Sequence, residues 1–243
     1  LMLVPFFSAQ DACTAVAAIF KAGITPSALE FMERDALLWT QDFLKDNSII
    51  IQENHAAHLL IEVDGFNQDV LMEECTKIMD VLAQFETDEI LFADSASQKD
   101  KLWRLRRTVG EAVKSHSIYK EEDTVVPRFE LPKLLAHVKL IGDKFGFKSV
   151  CYGHAGDGNL HVNIIKGELT DDQWENDLPI AIEEIFKEVV KLGGTLSGEH
   201  GIGLVQKPYM PLAFSAKSLN LMKEIKKVFD PNNILNPDKI FNF

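Results

Sequence analysis

The dipeptide Asp157-Gly158 lies between two β-forming stretches, with Val150 before it and Val162, Ile164 and Ile165 after it. Asp-Gly between two such runs is a strong signal for a two-residue hairpin turn, and hairpins join antiparallel strands. With Asp157 and Gly158 as the turn, Gly156 pairs with Asn159, Ala155 with Leu160 and His154 with His161. That register sets two imidazoles opposite each other on one face, their Cβ atoms about 5 Å apart. Both could reach one divalent ion at about 2.0–2.1 Å. Asn163, two residues beyond His161, shares its face. A Gly-rich turn capping two ordinary strand histidines would fit the same letters. A phosphate cradle would also fit, but no P-loop lysine pattern accompanies it.

The rest of the chain alternates strand-like and helix-like stretches. Strands are read at Leu3–Phe7, Ser27–Phe31, Leu59–Asp64, Ile90–Ala93 and Thr124–Val126, and from Ser149 onward. Helices are read at Ala9–Lys21, Asp69–Phe85, Gln98–Lys114, Pro132–Phe145, Asp172–Leu192 and Ser215–Phe229. Asp230-Pro231 stops the last one, since proline cannot continue the hydrogen-bond ladder. Such alternation often marks a parallel sheet. The two-faced strand Leu59–Asp64 and the hairpin favour an antiparallel one. Pattern alone leaves both open. A loose two-fold rhythm suggests two similar α+β halves sharing one sheet.

The 243 residues suit one large domain or two small ones, and 46% hydrophobic content is enough for a sizeable core. A formal net charge of −12 argues against a nucleic-acid partner, which requires a surplus of Lys and Arg. An acidic chain that receives an anionic substrate needs a local positive island, such as a metal ion. Three cysteines, Cys13, Cys75 and Cys151, form no CxxC pair and fit a reducing, cytoplasmic setting. No apolar run approaches the roughly 20 residues that span a bilayer. The opening Leu1–Phe7 reads as a buried strand, as if cut from something longer.

A second chemical segment, Gly193 to Gly203, places Glu199 and His200 among five glycines. Glycine density of this kind allows unusual backbone angles and close approaches. Two histidines leave a zinc-like ion short of ligands, and a carboxylate is a common third, a role that falls to Glu199. His200 is then free to act as a general base, because imidazole titrates near neutral pH. A solvated surface loop is the plainer alternative. Arg104, Arg106 and Arg107 lie on one amphipathic helix, where most arginines are solvated. Lys120 stands beside three acids in what reads as a charged loop.

His154-Ala-Gly-Asp-Gly-Asn-Leu-His161, Ser197-Gly-Glu-His-Gly-Ile-Gly203 and the tail Phe229-Asp-Pro…Leu235-Asn-Pro237 together resemble the C-terminal domain of the FAD-linked oxidases, the vanillyl-alcohol-oxidase type. D-lactate dehydrogenase, the glycolate oxidase flavoprotein subunit and D-2-hydroxyglutarate dehydrogenase are of this kind. The segments Ala22–Glu30 and Leu102–Arg106 also look like that family, so the resemblance covers nearly all of residues 1–243.

The resemblance implies an α+β fold with a largely antiparallel sheet covered by helices. It implies a substrate- and metal-binding cap domain, with FAD held mainly by a separate N-terminal FAD-binding domain that this chain lacks. It implies hydride transfer from a D-2-hydroxy acid to the flavin, with electrons passing to a further acceptor that would make any membrane contact. His154, His161 and Glu199 would bind a divalent metal, zinc foremost, and His200 would be the base. Asn163 would line the substrate site, Arg106 and Lys120 would hold the substrate, and Asn236 would touch the cofactor. Gly110 stands where hydroxyglutarate-type members carry a hydroxyl residue, which points away from a long dicarboxylate. Two other classes remain beside this one. A metal-dependent hydrolase could use the same two-His-one-Glu site, and a non-catalytic cap could use a flavin-facing surface to form a homodimer.

Overall fold

A computed structural model of the chain describes residues 1–242. Seven strands form one sheet: β1 (Met2–Phe6), β2 (Ala28–Glu33), β3 (Ala57–Glu62), β4 (Leu91–Phe92), β5 (Tyr119–Val125), β6 (Lys148–Gly153) and β7 (Asn159–Ile165). Eight α-helices accompany them: α1 (Ala9–Lys21), α2 (Arg34–Leu44), α3 (Gln68–Leu82), α4 (Ala96–His116), α5 (Leu131–Phe145), α6 (Leu178–Lys191), α7 (Met210–Ala213) and α8 (Ala216–Phe229). The strand order is β4-β1-β3-β2-β6-β7-β5, and every pairing is antiparallel. The α+β class and the antiparallel sheet are as the resemblance implied.

The sheet is two copies of one pattern. In the first half β1 lies between β4 and β3, with β2 outside β3. In the second, β5 lies beside β7, with β6 outside it, and a single bridge from Val125 to Thr195 stands where a fourth strand would be. The copies meet where Phe31 pairs with Gly153 and Met32 with Tyr152. Beside that seam, Glu33 accepts the Cys151 N–H at 2.6 Å and the Lys139 ammonium at 2.8 Å.

Strand alternation sends the two faces to different cores. Met2, Val4, Phe6, Leu29, Phe31, Leu160, Val162 and Ile164 pack under residues of α1, α3, α5 and α6. Leu1, Leu3, Met32, Leu60 and Tyr152 face residues of α2 and α4 instead. A fully buried side chain such as Phe6, Phe31 or Phe186 contributes about 1.5–3 kcal/mol by leaving water. On the second half this outer face carries polar groups: Asp123, His161 and Asn163, all buried.

Three local readings need correction. The hairpin is not a two-residue turn. After β6 the chain makes one 3-10 turn at Ala155–Asp157, and the His154 carbonyl accepts the N–H groups of both Asp157 (2.9 Å) and Asn159 (3.2 Å). Gly158 ends that turn at φ 77°, where an added Cβ would stand 2.0 Å from the Val126 carbonyl oxygen. His161 therefore pairs with Tyr152, not with His154. Next, β5 begins at Tyr119, so Lys120 belongs to a strand rather than a charged loop. Its acidic run hides a seven-residue ladder with β7. Finally, α2 escapes the apolar pattern because its buried face includes Thr40 and Gln41. Their polar groups are satisfied by the carbonyls of Ala36 and Ile49.

Candidate functional site

The outer face of the second half gathers three imidazoles and four carboxylates. His161 projects from the middle of β7, and His154 stands where β6 gives way to the 3-10 turn. The glycine-rich loop after Thr195 crosses above them and presents Glu199 and His200. Glu199 Oε1 lies 3.2 Å from His161 Nε2, 3.6 Å from His154 Nε2 and 4.0 Å from His200 Nε2. The predicted pairing of the two histidines fails as register but holds as convergence, with ring centroids 6.0 Å apart. Glu199 and His200 each have side chains 49% exposed, so this side of the cluster is open.

Behind the cluster stand carboxylates that sequence reading did not single out. Asp123 lies beside His161 in the β5–β7 register. Its Oδ2 accepts the backbone N–H groups of Glu199 and His200, each at 2.8 Å, and the Ser197 hydroxyl at 2.9 Å. Its Oδ1 accepts from the Asn159 amide at 2.6 Å. Burial works to raise the Asp123 pKa, but these donors together outweigh it and bring the group down to about 2. Asp123 thereby fixes the loop that carries Glu199 and His200.

Glu30, buried on β2, meets His154 Nδ1 at 2.9 Å through one oxygen. Its other oxygen accepts Arg106 Nε at 2.9 Å and lies 2.7 Å from Nη2. Burial pushes the Glu30 pKa up, and the His154 hydrogen bond and the Arg106 charge bring it below the ordinary carboxylate value. The Glu30 hydrogen bond, against the cost of burial, raises the His154 pKa. On the other side, His161 Nδ1 faces Glu121 Oε1 at 3.4 Å and Asp123 Oδ1 at 3.9 Å. A signal for these acids was present in the sequence: Glu30 sits between Leu29 and Phe31 in a strand, where an acid is buried only with a partner.

The other expected site residues are placed differently. Arg106 is buried and engaged by Glu30, with its guanidinium 5.5 Å from the Tyr152 ring centre, so it is not an open anion holder. Lys120 alternates with Glu121 and Asp123 along β5 and lies on the opposite face, near the buried Glu122. Asn163 shares the His161 face and is fully buried, and neither of its amide atoms makes a hydrogen bond of good geometry. Asn236 is exposed in the tail at φ 46°, where its carbonyl accepts the Lys239 N–H at 3.4 Å.

The donor set fits a divalent cation. One ring nitrogen each from His154 and His161 and one carboxylate oxygen of Glu199 lie within 4.8 Å of one another. A second set, Glu121, His161 and His200, meets the same limit. Each of these two imidazoles has a carboxylate near its other nitrogen, Glu30 at 2.9 Å for His154 and Glu121 at 3.4 Å for His161. That is the arrangement by which ligand histidines are oriented and made more basic.

The family model described as FAD linked oxidases, C-terminal domain, matches residues 1–240. The chain is 34% identical over 247 residues to the glycolate oxidase subunit GlcD of Bacillus subtilis, covering 99% of this chain and 50% of that protein. It is 29% identical over 244 residues to a D-lactate dehydrogenase of Anaerostipes hadrus, covering 98% of this chain and 51% of that protein. It thus spans about half the length of these relatives. Among solved structures, p-cresol methylhydroxylase with substrate bound superposes with a TM-score of 0.71 at 14% identity, over 100% of this chain and 53% of that one. A 4-ethylphenol oxidase from Gulosibacter chungangensis gives 0.65 at 13%, over 98% and 53%. These two show the fold. No described helix is long and apolar enough to cross a membrane. With the family model matched almost end to end on a sheet of the same architecture, this chain belongs to the FAD-linked oxidases as their C-terminal domain.

Proposed function

We propose that this domain is the substrate side of an FAD-dependent dehydrogenase that oxidises a small D-2-hydroxy acid, lactate- or glycolate-like, to the 2-keto acid. The observation that carries the reading is the convergence of His154, His161 and Glu199 with the half-exposed His200 on one open face. The relatives' names supply the substrate class, and they favour it over the metal hydrolase.

His154 Nε2, His161 Nε2 and Glu199 Oε1 would hold a zinc-like ion, which would supply Lewis-acid polarisation of the substrate's hydroxyl. FAD, bound mainly by an N-terminal FAD-binding domain, would supply the hydride acceptor. Within this chain, His200 Nε2 takes the hydroxyl proton as general base. Glu30 and the Glu121–Asp123 pair hold the two ligand imidazoles in orientation. Asn163 forms the floor beside His161. Arg106 acts through Glu30 on His154 and does not grip the substrate, and Lys120 takes no part in the site.

Elemental mass spectrometry of the purified protein and a His161→Ala variant tests the centre. One divalent ion per chain, lost in the variant, is expected. No ion in either protein after incubation with zinc or manganese would overturn it and leave a non-catalytic cap. For the reaction, anaerobic bleaching of the flavin by D-lactate or glycolate is expected with the FAD-binding domain present. Absence of bleaching by any short 2-hydroxy acid would sink the substrate class.

A further inference from the structure

The first half of the sheet repeats the position of His161. There His58 on β3 pairs with Met32 of β2 and Pro5 of β1, as His161 on β7 pairs with Tyr152 of β6 and Asp123 of β5. Met32 and Tyr152 are themselves partners across the seam, so the two histidines are related by the repeat. His58 also opens onto a cavity, of about 310 Å³, walled by Ile49, Ile90, His55, Asp88 and Glu89 among others. That volume lies at the small end of ligand pockets, about 300–1,000 Å³.

His58 is 2% exposed, and its Nδ1 has no hydrogen-bond partner. An unpaired buried nitrogen costs about 1–3 kcal/mol. His55 is fully engaged. Its Nδ1 accepts the Gln52 N–H at 3.2 Å, so its Nε2 carries the proton and donates to Asp88 at 3.0 Å. Asp88 also accepts the Glu89 N–H at 2.8 Å, and the two donors hold it ionised. Burial, with the neighbouring His55, lowers the His58 pKa to about 3 and keeps its ring neutral. Among the described residues, the side chains that converge closely enough to hold a metal ion do not include His55, His58, Asp88 or Glu89. No Lys or Arg lines the cavity, and two carboxylates stand at it, so an anion is repelled. A cationic head with N–H donors suits the carboxylates and a neutral imidazole acceptor, while the isoleucines suit a short hydrocarbon tail.

We infer that this cavity is a second ligand site, separate from the metal-like cluster, that takes a small primary ammonium with a short apolar chain. The ammonium is held at the wall formed by Asp88 and the His58 ring, and the tail lies against Ile49 and Ile90.

Titration of the purified protein with n-propylammonium chloride, followed by the ring signals of the histidines in NMR, tests this. Saturable shifts of His55 and His58 are expected, with none from sodium propionate at equal ionic strength. Asp88→Asn, at a partly exposed position, should weaken the apparent affinity at least fivefold without loss of fold, and His58→Phe should abolish the response. Equal shifts from propionate, or affinity unchanged in Asp88→Asn, would overturn the proposal. Shifts produced by zinc chloride and not by propylammonium would overturn it as well.

Discussion

Asp123 Oδ2 accepts the backbone N–H groups of both Glu199 and His200 at 2.8 Å, so one buried carboxylate positions two residues whose side chains it does not touch. Replacing it by alanine strips partners from those two groups, from Ser197 and from Asn159. Hydrogen bonds to a charged group are worth about 1.5–3 kcal/mol each before relaxation. Asp123→Ala is expected to destabilise the domain by roughly 2–4 kcal/mol. Zinc affinity should fall about 10–100-fold, as for other supporting contacts. Urea unfolding and zinc calorimetry on the same samples measure both, and an unchanged zinc affinity would remove Asp123 from the positioning role.

Arg106 and Glu30 make a buried ion pair, and breaking such a pair strands a charge at a cost of about 3–5 kcal/mol. Arg106→Ala should therefore destabilise the protein in the absence of any substrate. If the arginine were an open substrate holder, its loss would leave unfolding midpoints unchanged and raise KM alone. Chemical denaturation without ligand separates the two roles.

Gly198 has no room for a side chain. A Cβ there would stand 1.8 Å from the Asn159 amide nitrogen and 3.0 Å from Asp123 Oδ1. Gly198→Ala is expected to push Asn159 off Asp123, costing on the order of 1–3 kcal/mol and lowering zinc affinity with it. Thermal unfolding with and without zinc checks this. A variant as stable and as zinc-competent as the parent would contradict the geometry.

His58 sets a pH dependence of stability. Its folded pKa of about 3 lies below the ordinary 6.5, so the unfolded chain binds the extra proton between those values. Its contribution is complete above pH 6.5 and is lost as pH falls toward 3, at up to about 1.4 kcal/mol per unit. Denaturation at pH 7, 6 and 5 should show a steeper decline in the parent than in His58→Phe. Parallel curves would show that His58 is not held neutral.

The motif residues announced the cluster better than they announced its geometry. His154, His161, Glu199 and His200 were legible because two glycine-rich segments carried them. The Asp-Gly hairpin was misread because that rule assumes the turn closes in two residues, whereas Gly158 ends a 3-10 turn. Glu30 and Asp123 were not legible as supports, because Glu30 meets Arg106 and His154 at 76 and 124 residues along the chain, and Asp123 meets Glu199 and His200 at 76 and 77. Lys120 was misplaced for a related reason: the face of a strand cannot be assigned before its register. Helix α2 was lost because Thr40 and Gln41 interrupt the apolar stripe that marks a buried face.

The single Val125–Thr195 bridge, where the first half has β4, gives the sheet its chemical asymmetry. A full strand there would commit alternate backbone N–H groups to β5 and turn its side chains alternately up and down. After one bridge the chain leaves the ladder, and the freed N–H groups of Glu199 and His200 find Asp123 instead. Two consecutive side chains can then serve one face of the sheet, which no regular strand allows. The repeat supplies the scaffold, and the place where the repetition stops supplies the side chains that converge on it.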